Sequence, residues 1–185
     1  MSITMAVQGN KTTLSDLESF LSELTEPLFL LIHPQTRYSA GEQVRHILEH
    51  YQMLFGSLTT GVLCYDQRPR NKRLESSLGE ALSTLHDITL QLDTLCSEGD
   101  KALSLTCAVD GCQQRNATIE TTLIRELLFL QNHTIHHMAI LKILFQEHDK
   151  TLPDRFGVAP ATLQYQSTCE ATSTLRDEAS ASKIR

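Results

Sequence analysis

Leucines at 14, 17, 21, 24, 28 and 31 recur at alternating steps of three and four, the stripe of an amphipathic helix that buries one face. Ser15 and Glu18 form a capping-box pattern near its start, and Pro27, which lacks an amide donor, kinks or ends the helix before His33-Pro34 closes the segment. Ser39 then serves as N-cap for a second helix whose apolar positions Val44, Ile47, Leu48, Tyr51, Leu54, Phe55 and Leu58 keep the 3.6-residue period. After a polar loop from Tyr65 to Arg70, Asn71 caps a third helix carrying Leu74, Leu78, Leu82, Leu85, Ile88, Leu92 and Leu95, which Gly99 stops.

Between Leu103 and Val109 the period shortens to two, and Asp110-Gly111 supplies a type I′ turn signal, so a small hairpin is expected. Its return strand, Cys112 to Ile119, is polar, which places the hairpin on the surface. A fourth helix runs from Thr121 or Thr122 through Leu123, Leu127, Leu130, Ile135, Met138, Leu141 and Leu144 toward His148, roughly 40 Å at 1.5 Å per residue. Ala161 to Gln166 forms a short fifth helix, and the Ser-, Thr- and Ala-rich stretch after it has no apolar period. The expected fold class is all-α: a four-helix bundle over 12–165 with a small β-hairpin between the third and fourth helices and a short C-terminal helix. A flexible N-terminus, 1–11, and a disordered tail, 166–185, flank it.

A length of 185 residues with 41% hydrophobic content suits one domain with a sizeable core. The formal charge of −6 gives no electrostatic footprint for nucleic acid. No apolar run is long enough to span a membrane, and MSITMAVQGNKTT lacks both a basic region and an apolar core, so the expected location is cytoplasmic. Cys64, Cys96, Cys107, Cys112 and Cys169 are odd in number and lack zinc-knuckle spacing, so they read as reduced thiols, mostly buried as small hydrophobes. A Cys107–Cys112 disulfide is disfavoured without a secretory context.

Histidines carry the candidate chemistry. His46 and His50 lie in VRHILEHYQMLF, and His133 and His137, with His136 beside them, lie in LQNHTIHHMAILKILF. Residues four apart on a helix share a face, so each pair can converge on one point. A catalytic metal site needs three protein ligands and an open position, which a pair from one helix and a third imidazole from another supply. A lone histidine beside an apolar stripe is more often a hydrogen-bonded structural residue. Clustered imidazoles reverse that preference, because they repel one another on protonation.

His136 projects about 100° around the helix from His137 and reads as a surface or supporting residue. His148 reads as a partner of the helix C-terminal dipole, and His33 and His86 have no partner in sequence. Among nearby polar residues, Glu42, Glu49, Glu126, Gln131 and Asn132, Glu49 follows His46 by three and either orients a ligand or is solvated surface; the latter is preferred. No E-x-x-H motif is present, which argues against a di-iron oxidase, and the H-x-x-x-E and H-x-x-x-x-D spacings of oxygen-binding di-iron bundles are missing too. Arg68, Arg70, Lys72 and Arg73 in RPRNKR are either solvated or a receptor for an anionic group. Nucleotide-binding glycine loops and the G-x-S-x-G elbow are absent from the sequence.

YSAGEQVRHILEH (38–50) and HTIHHMAIL (133–141), with the helical layout of residues 12–165 and FGVAPATLQY (156–165), resemble the DinB-like (DinB/YfiT) superfamily. The resemblance implies a four-helix bundle holding a divalent metal, zinc, nickel or iron, on one histidine of the second helix and the H-x-x-x-H pair of the fourth. It maps the pair onto His133 and His137. Tyr38, eight residues before His46, favours His46 as the third ligand, whereas registering on Val44-Arg45 selects His50. The remaining histidine, with Glu49 and His136, would support the ligands from behind. By the same resemblance the activity would be a thiol-dependent transferase or a metal-dependent hydrolase acting on a low-molecular-weight thiol or another small molecule, with a homodimer compatible. The competing reading is a non-enzymatic helical stress or interaction protein with structural histidines.

Overall fold

The computed structural model describes residues 2–110, 115–146 and 152–169. Ser2 accepts the Met5 amide and starts α1, Ile3–Ser22, inside the stretch that the leucine pattern left without an element. Ile3, Ala6, Val7 and Asn10 are buried there, so the stripe begins eleven residues before Leu14 with smaller and partly polar side chains. Ser15 is a mid-helix residue rather than a cap. Pro27 sits in the first turn of a separate short helix, α2 (Glu26–Leu30), where its missing amide costs nothing.

Ser39 and Glu42 form a reciprocal capping box at the start of α3, Ala40–Thr60, and Gly61 ends it with φ +74, a left-handed conformation that glycine adopts without strain. That turn releases the chain into β1, Val62–Leu63. The expected third helix is divided: Asn71 caps α4, Lys72–Ser76, and Ser77 caps α5, Leu78–Leu95. A second cap one turn downstream, together with the Glu26 carboxylate accepting the Leu78 amide, stabilises the break. Thr122 caps α6, Leu123–Leu144, and α7 spans 160–169.

The all-α four-helix-bundle expectation is incorrect: the fold is mixed α/β. α1 packs on α5 and α6, α3 packs on the same two helices, and a three-stranded sheet completes the structure. β2, Ala102–Asp110, lies between β1, which runs parallel to it, and the antiparallel β3, Arg115–Thr122. The sheet is not a surface decoration. Leu63, Leu103 and Leu105 are buried in the same core as the helices, and Leu63 registers with Leu105. Two residues of β1 are too few for a period to show, and only pairing with a strand forty residues away makes them a strand.

Beyond α6, Phe156 is fully buried and its ring lies 5.2 Å from that of Phe20, which pins the 152–169 segment to α1. The core also holds polar groups. The Tyr51 hydroxyl donates to Asn10 Oδ1 at 2.7 Å and accepts from Thr134 Oγ1 at 3.3 Å, while Asn10 Nδ2 donates to the Leu127 carbonyl at 2.9 Å. This network ties α1, α3 and α6 in one register, because each buried donor has a single set of acceptors within reach.

Cys96 and Cys169 are exposed rather than buried, and Cys64 and Cys107 are half-buried. His148, Cys112 and with it the Cys107–Cys112 pairing, Gly111 of the expected turn, and residues 170–185 of the expected tail lie outside the described residues. Residues 166–169 belong to α7. Among the described residues, no helix is long and apolar enough to cross a membrane.

Candidate metal centre

The packing of α3 against α6 brings all four paired histidines into one cluster. Ring centroids of His46 lie 4.3 Å from His50, 5.0 Å from His133 and 4.5 Å from His137; His50 and His133 are 4.4 Å apart, and His133 and His137 4.5 Å. Donor nitrogens of His46, His50 and His133 all fall within 4.8 Å of one another. The i, i+4 spacing aligns each pair along its helix, and the helix crossing aligns the pairs with each other.

Hydrogen bonds assign the tautomers. His50 Nδ1 lies 2.6 Å from the His46 carbonyl oxygen, which can only accept, so Nδ1 carries the proton and Nε2 keeps its lone pair. His137 Nδ1 donates to Gln43 Oε1 at 2.7 Å, with the same consequence for its Nε2. His46 Nε2 and His133 Nε2 face each other at 3.0 Å. Two nitrogen ligands of a tetrahedral zinc, each about 2.0–2.1 Å from the ion, stand roughly 3.3 Å apart. The observed spacing is close to that edge, and it is equally that of a hydrogen bond from one protonated Nε2 to the other.

Burial keeps the cluster neutral. Loss of solvation, then repulsion from His50 and His137, lowers His46 from 6.5 to about 2. Desolvation followed by His50 and His137 lowers His133 to about 3, and desolvation followed by His136 and His50 lowers His137 to about 4. His50 is lowered as well, chiefly by burial. Neutral imidazole is the form a metal binds.

The walls of the cluster differ. Tyr65 stacks on His50 at 5.1 Å and 25°, and Phe129 stacks on His133 at 5.3 Å and 17°. The Tyr65 hydroxyl donates to Glu126 Oε2 at 2.9 Å, and Glu126 is itself fully buried, accepting from Thr121 at 2.6 Å and Arg125 at 2.7 Å. On the other side a cavity of about 580 Å³ opens on His46 and His137. The cluster therefore has one closed aromatic face and one accessible face.

Of the residues singled out in the sequence, His46, His50, His133 and His137 converge. His136 is exposed, edge-on to His137 at 5.2 Å. Glu49 is neither solvated nor turned to the histidines: it is fully buried, accepting the Asn71 amide at 2.5 Å with Arg68 Nε 3.9 Å away. Glu42 is occupied by its cap, and Asn132 is exposed and donates to the Leu128 carbonyl. Of RPRNKR, Arg68 reaches the cavity, whereas Lys72 pairs with Glu75 and Arg73 with Glu80. Gln43, Tyr65 and Phe129 went unrecognised. Gln43 alone had a signal, three residues before His46 on the same helix face.

No family model matches the chain, and no solved structure matches it. Among curated proteins the chain is similar to FK506-binding protein 5 of Rhizopus delemar, 32% identical over 151 residues, 80% of this chain and 37% of that protein. This match overturns the DinB-like resemblance, which rested on a short histidine spacing and a helical layout, patterns brief enough to recur in unrelated helical chains. The chain spans little more than a third of the length of this curated relative.

Proposed function

We propose that the chain is a divalent-metal-binding protein whose histidine cluster serves hydrolytic or group-transfer chemistry on a small molecule. The observation that carries this is the convergence of His46, His50 and His133 nitrogens within 4.8 Å, with His46 and His133 Nε2 atoms 3.0 Å apart. His46, His50 and His133 are the ligands. His137, held on Gln43, borders the accessible side, and His50 takes the ligand position that the sequence pattern implies for His137.

A divalent cation bound there would supply Lewis acidity to a group at its open position. Because every ligand is a neutral imidazole, the cation's charge stays uncompensated by the protein. The stacked Tyr65 and Phe129 rings hold His50 and His133 in place and keep water from the closed face. The anchored Nδ1–H of His50 fixes which nitrogen faces inward.

The test is metal uptake by purified protein. Wild type should bind about one equivalent of zinc or nickel, His46→Ala and His133→Ala should lose it, and His50→Ala should weaken it more than His137→Ala. Wild-type protein that takes up neither metal would refute the reading in favour of structural histidines. A reversed order of His50→Ala and His137→Ala would restore His137 as the third ligand.

The relative supports a second reading, ligand binding of the kind its name states. Saturable binding of FK506 to this chain would place that property in the shared stretch, and no binding would leave it to the remainder of the relative.

A further inference from the structure

We infer that the cavity beside the histidine cluster takes a small amphipathic carboxylate whose anionic end pairs with Arg68, an inference that rests on the metal-centre reading above. The cavity, about 580 Å³, is within the range of small-molecule sites, and it is lined by His46 and His137, by Arg45 and Arg68, and by the apolar Ile140 and Ile143.

The two guanidiniums are not equivalent. Arg45 Nε lies 3.0 Å from Glu75 Oε2, a close ion pair, although neither atom has a hydrogen bond. Arg68 Nε lies 3.9 Å from Glu49 Oε2, beyond hydrogen-bond reach, and is buried without an acceptor. Glu49 cannot close that gap cheaply, because its other oxygen holds the Asn71 amide at 2.5 Å. The hydrogen bond that Arg68 does make, from Nη1 to the Tyr65 carbonyl at 3.0 Å, fixes the side chain, and its long ion pair with Glu49 still leaves Nε without an acceptor. A planar fork with an unfilled donor is the geometry that a carboxylate satisfies.

Charge around the cavity favours an anion. Its lining carries two guanidiniums, Arg45 and Arg68, against one carboxylate, Glu42, which accepts the Ser39 amide at 3.0 Å and is turned to its own helix end, while Glu49 and Asp66 face Arg68 from behind the lining. A divalent cation on neutral ligands adds to that charge. Ile140, Ile143 and Tyr38 then offer an apolar wall to the body of the ligand.

The test uses the full chain loaded with Co²⁺, whose visible absorption reports the occupant of an open coordination position. The probes are 3-(imidazol-4-yl)propanoate and its neutral amide, which share the metal-binding ring and differ in the carboxylate. Wild type should bind the acid at least about tenfold more tightly than the amide, the advantage of a charge-assisted pair. R68Q should reduce the advantage to under about threefold, and R68K, which keeps charge without the fork, should retain part of it. Co²⁺ content should stay stoichiometric in all three proteins. Equal binding of acid and amide by wild type, binding of neither, or an advantage that survives R68Q would overturn the inference. A wild-type chain that takes up no Co²⁺ removes the metal centre itself, and metal content separates that failure from the loss of anion preference alone.

Discussion

Protonation competes with a metal for imidazole nitrogen, and the depth of the cluster makes that competition weak. For three exposed histidines titrating at 6.5, lowering pH from 7.5 to 5.5 leaves each about 90% protonated, about a tenfold penalty apiece and about a thousandfold, roughly 4 kcal/mol, for the set. Here His46 is lowered to about 2 and His133 to about 3, with burial the largest cause, and His50 is lowered in the same direction. His46 and His133 are thus already deprotonated at pH 5.5, and a titrating His50 could add at most about one tenfold step. Zinc affinity of the folded chain should therefore change by less than about tenfold between pH 7.5 and 5.5. Competition against a chromophoric chelator calibrated at both values measures it. A decline near three decades would show that the imidazoles titrate as exposed groups, and would refute the neutral-cluster reasoning.

The metal-free protein should lose stability as pH falls. The folded values of His46, His133 and His137 lie below 6.5, so the unfolded chain binds more protons in acid, and stability that is full above about 6.5 declines toward the folded values of about 2 to 4. Thermal melts at pH 7.5, 6 and 5 should show midpoints falling in that order, and bound zinc should flatten the trend. Tyr51→Phe leaves Asn10 Oδ1 without its 2.7 Å donor in the core and should cost about 1–3 kcal/mol in urea unfolding. A cost near zero would mean that water replaces the hydroxyl. Gly41→Ala would set a Cβ 2.1 Å from the Glu75 carbonyl oxygen and 3.0 Å from the Phe29 ring, forcing α3 away from α4. Its cost should be at least about 1–3 kcal/mol, and a variant as stable as wild type would contradict that packing.

The long helices were legible because each carries a one-sided stripe that no neighbour is needed to reveal. Val44, Ile47, Leu48, Tyr51 and Leu54 are all buried on α3, and Leu78, Leu85, Ile88, Leu92 and Leu95 on α5. Ser39 and Thr122 were readable as caps, since a cap is a local hydrogen bond between near neighbours. The break between α4 and α5 was hidden beneath a continuous leucine period, because Glu26, fifty-two residues away, completes the cap at Leu78. β1 was hidden for a related reason: two residues have no period.

At the site, the sequence alone determined that His46 and His50, and His133 and His137, share helical faces, because that follows from spacing on one helix. Tertiary structure decided everything that depends on the crossing of α3 and α6. It set the 3.0 Å approach of His46 to His133, the choice of tautomer at His50 and His137, and the aromatic closure by Tyr65 and Phe129. It also took Glu49 out of the histidine cluster and gave it to Asn71 and Arg68, in a core where a carboxylate needs partners that spacing does not name. Local periodicity fixes which face a residue occupies, and only the packing of distant segments fixes what that face meets.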